Sequence, residues 1–163
     1  MQGLLSQYCA IVPLLPLDGD IVTGVDTESI DMKGWDHCCM MFIHSATVTG
    51  NSVFTVNAGA TDGVKTAAIY FTYRYGGAAV KTTLADVLSA PATKVATLSL
   101  TAATYQGRLF VVEVDAADMQ SAGVQYRYLT ANFDGTASVG DCAGVAVLTK
   151  GRYMKDIMAT TIA

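Results

Sequence analysis

Two histidines and two cysteines fall within eight residues, at His37, Cys38, Cys39 and His44, with Asp31 and Asp36 just upstream. Imidazole, thiol and carboxylate are the groups from which zinc centres and cysteine nucleophiles are assembled. The stretch SIDMKGWDHCCMMFIH, residues 29–44, therefore poses a choice between chemistry and packing. Spacing decides it. On a strand, His37, Cys39 and Met41 share one face, while Cys38, Met40, Phe42 and His44 share the other. Neither face collects the four ligands that a closed zinc site needs, and the C-x₂₋₄-C and H-x₃₋₅-H turn spacings are absent. A cysteine nucleophile needs an electropositive, partly exposed setting, and the apolar run CCMMFI supplies the reverse. The expectation is a buried central strand covered on both faces, with Cys9, Cys38, Cys39 and Cys142 acting as reduced, small hydrophobes.

Other routes to chemistry are equally thin. The sequence has no G-x-S-x-G elbow, no P-loop and no G-x-G-x-x-G following a strand. Glu113, Asp115 and Asp118 imitate an acid/base or calcium cluster, but no D-x-D-x-D-G loop follows. Asp115 stands where its carboxylate would cap a helical turn over AADM, residues 116–119. The chain is thus expected not to be an enzyme, with no catalytic residue, no metal and no cofactor. Tyr70, Tyr73, Tyr75, Tyr126 and Tyr128 suit a core rim, a protein interface or a sugar-binding platform, and the residues alone leave these open.

Positioning elements follow from composition and periodicity. The 163 residues suit one domain; 52% are hydrophobic, 15% charged and fifteen are glycine. A threonine-rich, charge-poor chain of this kind favours packed β-structure over a helical bundle or a disordered tail. So little surface charge also points to a partner covering part of the surface. The net charge of −4 and the absence of Lys/Arg clusters argue against nucleic acid. Acidic residues lead (Asp18, Asp20, Asp26, Glu28, Asp31) and basic ones trail (Lys150, Arg152, Lys155), a pattern suited to attraction between copies. LLSQYCAIVPLLPL lacks a basic n-region and carries Pro13 and Pro16 within a short apolar run, so neither a signal peptide nor a membrane helix is expected.

Residues 1–24 read as an extended arm, because the two prolines forbid a regular helix. It could lie on its own sheet or on a neighbour's. Residues 25–155 read as a β-sandwich domain and 156–163 as a tail. Strands are expected over 37–48, 52–58, 67–76, 94–101, 108–115, 124–133 and 143–153, with one or two helical turns; residues 82–88 read as either a short helix or a loop ending at a strand. In 67–76, Ile69, Phe71, Tyr73 and Tyr75 oppose Tyr70, Thr72 and Arg74; in 124–133, Val124, Tyr126 and Tyr128 oppose Gln125 and Arg127. No βαβ alternation occurs, so the fold class is all-β: an antiparallel β-sandwich in jelly-roll or Greek-key order.

Three segments carry a resemblance: SIDMKGWDHCCMMFIHSA (29–46), RLFVVEVDAADMQSAGVQYRYLTAN (108–132) and VAVLTKGRY (145–153). Their order is similar to a family of small head decoration, or cement, proteins encoded beside the major capsid protein gene of tailed bacteriophages. There an I-D-M-x-G-[YW]-D motif leads into an apolar strand, a V-x-V-D-A-x-D-[LM] motif precedes an aromatic strand, and a last strand ends in R-Y. Cys38 to Met41 depart from the usual Val/Thr/Leu filling. The resemblance implies a virion structural protein on the capsid exterior, assembled in the host bacterial cytoplasm, that cements neighbouring major capsid subunits as a homotrimer. It implies no membrane partner. Subunit or capsid contacts are expected from the arm and the end of the chain: Leu4, Leu5, Tyr8, Ile11, Pro13, Leu14, Leu15, Pro16, Leu17, Arg152, Tyr153 and Lys155. The arm would add to a neighbour's sheet edge. The alternatives are another virion component (tail, collar or head fibre) or a carbohydrate-binding β-sandwich module.

Overall fold

A computed structural model describes residues 8–21, 24–80, 83–135 and 140–151. Its strands are β1 (Ala10–Asp20), β2 (Val25–Asp26), β3 (Ile30–Asp31), β4 (Trp35–His44), β5 (Asn51–Gly59), β6 (Ala67–Ala68), β7 (Thr72–Tyr75), β8 (Thr97–Thr101), β9 (Leu109–Asp115), β10 (Gln120–Ser121), β11 (Val124–Gln125), β12 (Tyr128–Asp134) and β13 (Asp141–Gly151). One helical turn, α1 (Ala102–Tyr105), and a 3₁₀ turn (Ala116–Asp118) complete the described elements. One sheet runs β1-β13-β4-β9-β7; the other runs β2-β12-β5-β6, with β3 also on β12 and β8 also on β5. Every pairing is antiparallel.

The pairings nest. β1 pairs with β13, β2 and β3 with β12, β4 with β9, and β5 with β8, first with last and inward to the middle. That is the winding of a jelly roll, with β6–β7 and the β10–β11 hairpin as additions. Residues 10–20 are therefore the first strand of the roll, and the division expected near residue 24 has no counterpart in the packing. Leu14, Leu15 and Ile21 belong to the same buried cluster as Phe42 and Phe133. Of the two placements open to the arm, it takes its own sheet.

Phe42 of β4 holds the layers together. Its ring meets Phe54 of β5 and Phe133 of β12 edge-on, with centroids 5.6 and 5.2 Å away, and stacks on Phe110 of its own sheet at 6.1 Å. Edge-to-face pairs add about 0.5–1.5 kcal/mol each beyond the area they bury. Space for the ring comes from Gly144, its register partner on β13. A Cβ there would lie 2.6 Å from two carbons of the Phe42 ring.

Several local expectations change. Residues 67–76 keep their predicted faces but switch sheets, β6 pairing with β5 and β7 with β9. Residues 124–133 break at Tyr126–Arg127, so Leu129, Ala131 and Phe133 point inward and Tyr128 is only half-buried. Of the two readings open for residues 82–88, a short helix or a loop, residues 83–86 take a turn with Leu84 at φ 71°. Asp115 precedes the 3₁₀ turn but makes no capping bond with its side chain; its Oδ1 lies 2.8 Å from His37 Nδ1. The cross-strand histidine competes successfully for the carboxylate. Two members of the acidic lead, Asp26 and Asp31, are likewise engaged within the chain. Lys65 and Asn132 donate to Asp26, and Arg127 donates to Asp31 through two nitrogens.

Gly144→Ala should destabilise the fold by about 1–3 kcal/mol, the usual cost of forcing an extra carbon into a filled core. Urea unfolding followed by tryptophan fluorescence measures this; an unchanged midpoint would mean that the Phe42 contact does not set the layer spacing.

Candidate interaction face

β4 has two unlike sides. Cys38, Met40, Phe42 and His44 are buried against the second sheet, whereas His37, Cys39 and Met41 are half-buried and Ile43 is 47% exposed. The near-continuous apolar run is thus not covered on both faces, as expected; its second face looks outward. Neighbouring strands continue that face in register. Pro13, Val145, Met41 and Val111 align across β1, β13, β4 and β9, ending at Arg74 on β7. The adjacent row places Ala143, Ile43 and Leu109 side by side. On the other flank lie Ile11, Val147 and Cys39, followed by Glu113. A shallow depression of about 420 Å³ opens here, lined by Leu15, Pro16, Met41, Ile43, Leu109 and Val145. Outward positions of an antiparallel sheet normally alternate to polar residues. Val111 is itself 5% exposed, so the open part of this row lies on three adjacent strands, β1, β13 and β4, which break the rule at the same level and make an apolar patch of the kind that marks an interaction site.

The residues expected to make contacts divide three ways. Ile11, Pro13 and Pro16 are exposed, and Ile11 reaches 54%. Leu15 lines the depression but is itself 9% exposed, and Leu14 is 4% exposed within the core, which removes it from any outer contact. Tyr8 is half-buried. Leu4, Leu5, Arg152, Tyr153, Lys155 and the Leu17 side chain lie outside the described residues. Sequence reasoning missed Met41, Ile43, Leu109 and Val145. The available signal was an apolar residue at the outward position of each of three strands that turn out to be neighbours.

Edge addition is poorly served by β1. Pro13 and Pro16 have no N–H to donate, two register shifts interrupt the strand, and the Leu14 carbonyl already accepts from the Glu28 N–H at 3.1 Å. The opposite edge is covered too. Residues 87–95 run beside β7, with Ser89 N donating to Tyr75 O and Ala92 N to Tyr73 O. Contact through the face is what this sheet offers.

The inner side of β4 is chemically quiet. Burial, reinforced by the neighbouring Cys39, pushes the Cys38 thiol up to about 12, and burial pushes Cys142 up to about 12 as well. Burial and then Glu113 raise Cys39. All four cysteines are free thiols, and the three with raised values remain protonated, the weakly nucleophilic form. Among the described residues, no three His, Cys, Asp or Glu side chains converge as metal ligands. His44 is 2% exposed, and neither ring nitrogen has a hydrogen-bond partner; an unsatisfied buried polar group costs about 1–3 kcal/mol. Tyr73 and Tyr75 pack against Phe110 and Tyr105, while Tyr70 stands 60% exposed on the segment between β6 and β7.

These features define a jelly-roll sandwich with an apolar outer face on its β1-β13-β4-β9-β7 sheet. Comparison with protein-family models, curated proteins and solved structures gave no match.

In the native protein, a thiol reagent such as Ellman's should reach Cys39 first, leaving Cys38 and Cys142 unreacted until denaturant is added. Rapid native labelling of Cys38 or Cys142 would contradict the packing of β4.

Proposed function

We propose that this chain is a virion decoration protein that fixes itself to the outside of a bacteriophage capsid and ties neighbouring major capsid subunits together. The observation that carries the reading is the apolar outer face centred on Met41 and Ile43. A sheet face of this composition gains by removal from water, at roughly 25 cal/mol per Å² of apolar area. The blunted β1 edge and the covered β7 edge direct contact to that face and away from strand addition. The jelly roll itself carries no vote, since one architecture hosts many functions. Its virion setting comes from the resemblance of residues 29–46, 108–132 and 145–153 to cement proteins. Repetition over a shell lets a modest contact suffice, because many weakly held copies reinforce one lattice. Assembly as a homotrimer belongs to the same proposal.

Purified protein added to expanded particles that lack it should give regular density on the shell by cryo-electron microscopy. Bare shells at saturating protein would sink the reading. Ile43→Lys alters an exposed position, so its unfolding midpoint should move by no more than about 0.5 kcal/mol. Its occupancy on particles should nonetheless fall at least several-fold; undiminished occupancy would take the contact off this face. Removing residues 1–17 takes out most of β1 and should unfold the domain, seen as loss of the cooperative thermal transition.

A further inference from the structure

His44 sits where both sheets and α1 meet. Its ring centroid is 6.0 Å from that of Phe133 in β12, 6.3 Å from Phe110 in β9 and 6.4 Å from Tyr105 in α1. Its cross-strand partner on β13 is the buried Cys142. Nothing in this cage accepts a hydrogen bond from the ring, and both nitrogens are without partners. The titratable groups brought toward it are Tyr105, whose phenol is raised first by burial, and Cys142, also raised by burial; both are neutral at and below pH 7. Among the described residues, no carboxylate approaches to neutralise an imidazolium, and burial alone sets the ring's proton affinity. A neutral imidazole is tolerated here. A charged one is not, because an unpaired charge in an apolar interior has neither water nor counter-ion.

We propose that His44 is an acid-sensitive keystone: the ring can take a proton only once the two sheets part at this end of the roll, so mildly acidic solution favours the opened chain and the fold loosens. The direction follows from linkage. Burial lowers the His44 pKa from 6.5 to about 4. Above pH 6.5 the ring is neutral in folded and unfolded chains alike, and stability is undiminished. As pH falls from 6.5 toward 4, only the unfolded chain takes the proton, and stability is progressively lost. Carboxylates act in a lower window. Asp31, held down chiefly by Arg127, and Asp115, held down chiefly by His37, keep their charge below the ordinary aspartate value of 3.8. The two effects therefore separate on the pH axis, and the proposal does not depend on what the outer face binds.

The test is urea unfolding of the full chain at intervals from pH 7.5 to pH 4, for the natural protein and His44→Phe. The natural protein's folding equilibrium constant should fall on the order of a hundredfold over this range, following from the drop in pKa to about 4. The variant should hold nearly constant until close to pH 4. Parallel curves for the two proteins would overturn the proposal. Should His44→Phe fail to fold, the imidazole Cε1–H signals of His37 and His44 in the natural protein decide by NMR, assigned through His37→Asn. A His44 signal that stays neutral to below pH 5 supports the keystone, and one that titrates above pH 5 with the fold intact refutes it.

Discussion

The contact between Phe42 and the rings of Phe54 and Phe133 is the constraint from which the rest of this architecture follows. Sheets stack about 10 Å apart, a gap that interdigitating side chains must fill. Here one aromatic from the middle strand of one sheet enters between two aromatics of the other, and Gly144 yields the volume on the neighbouring strand. Phe71 and Phe110 close the cluster around Phe54, with centroids at 5.4 and 5.2 Å. With the rings interlocked, β4 cannot slide by one residue without throwing its whole inner row outward. The Met41–Ile43 face is thus held in place from behind by the core on the other side of the same strand.

Much of this was legible from residue order alone, and the failures have physical causes. RLFVVEVD alternates cleanly and became β9, and Pro13 with Pro16 correctly excluded a helix from residues 10–20. The sequence could not show that the arm pairs with residues 141–151, because a strand's partner more than 120 residues away leaves no local trace. Residues 67–76 and 124–133 were read as continuous strands because alternation says which side a residue faces, not which sheet it joins. Asp115 looked like a cap, since the cross-strand position of His37 becomes visible only in register. The outer face escaped notice for the same reason: HCCMMFIH reads as a doubly buried strand until its neighbours are known to leave one side open.

Seen in section, the sheet divides its labour. Its inner side holds the aromatic cluster, protonated thiols and a histidine without partners, groups whose chemistry is suppressed by exclusion from water. Its outer side is apolar at the centre and charged at the margins, where Arg74 on one side and the His37–Asp115 pair on the other frame the patch. The edges are closed by proline, by bulges and by the chain running from Val87 to Val95.

Nested winding also governs how the molecule comes into being. Among the described strands β1 leaves the ribosome first, yet its hydrogen-bonding partner is β13, the last of them to be made. Until then Leu14 and Ile21 have no completed core to enter. The nascent polypeptide must carry an unpartnered oily strand until residues 141–151 have been made. Contacts of such long sequence separation also make closure slow. The two prolines that blunt β1 in the finished roll would serve earlier as well, by denying that waiting strand to other nascent chains on the same messenger.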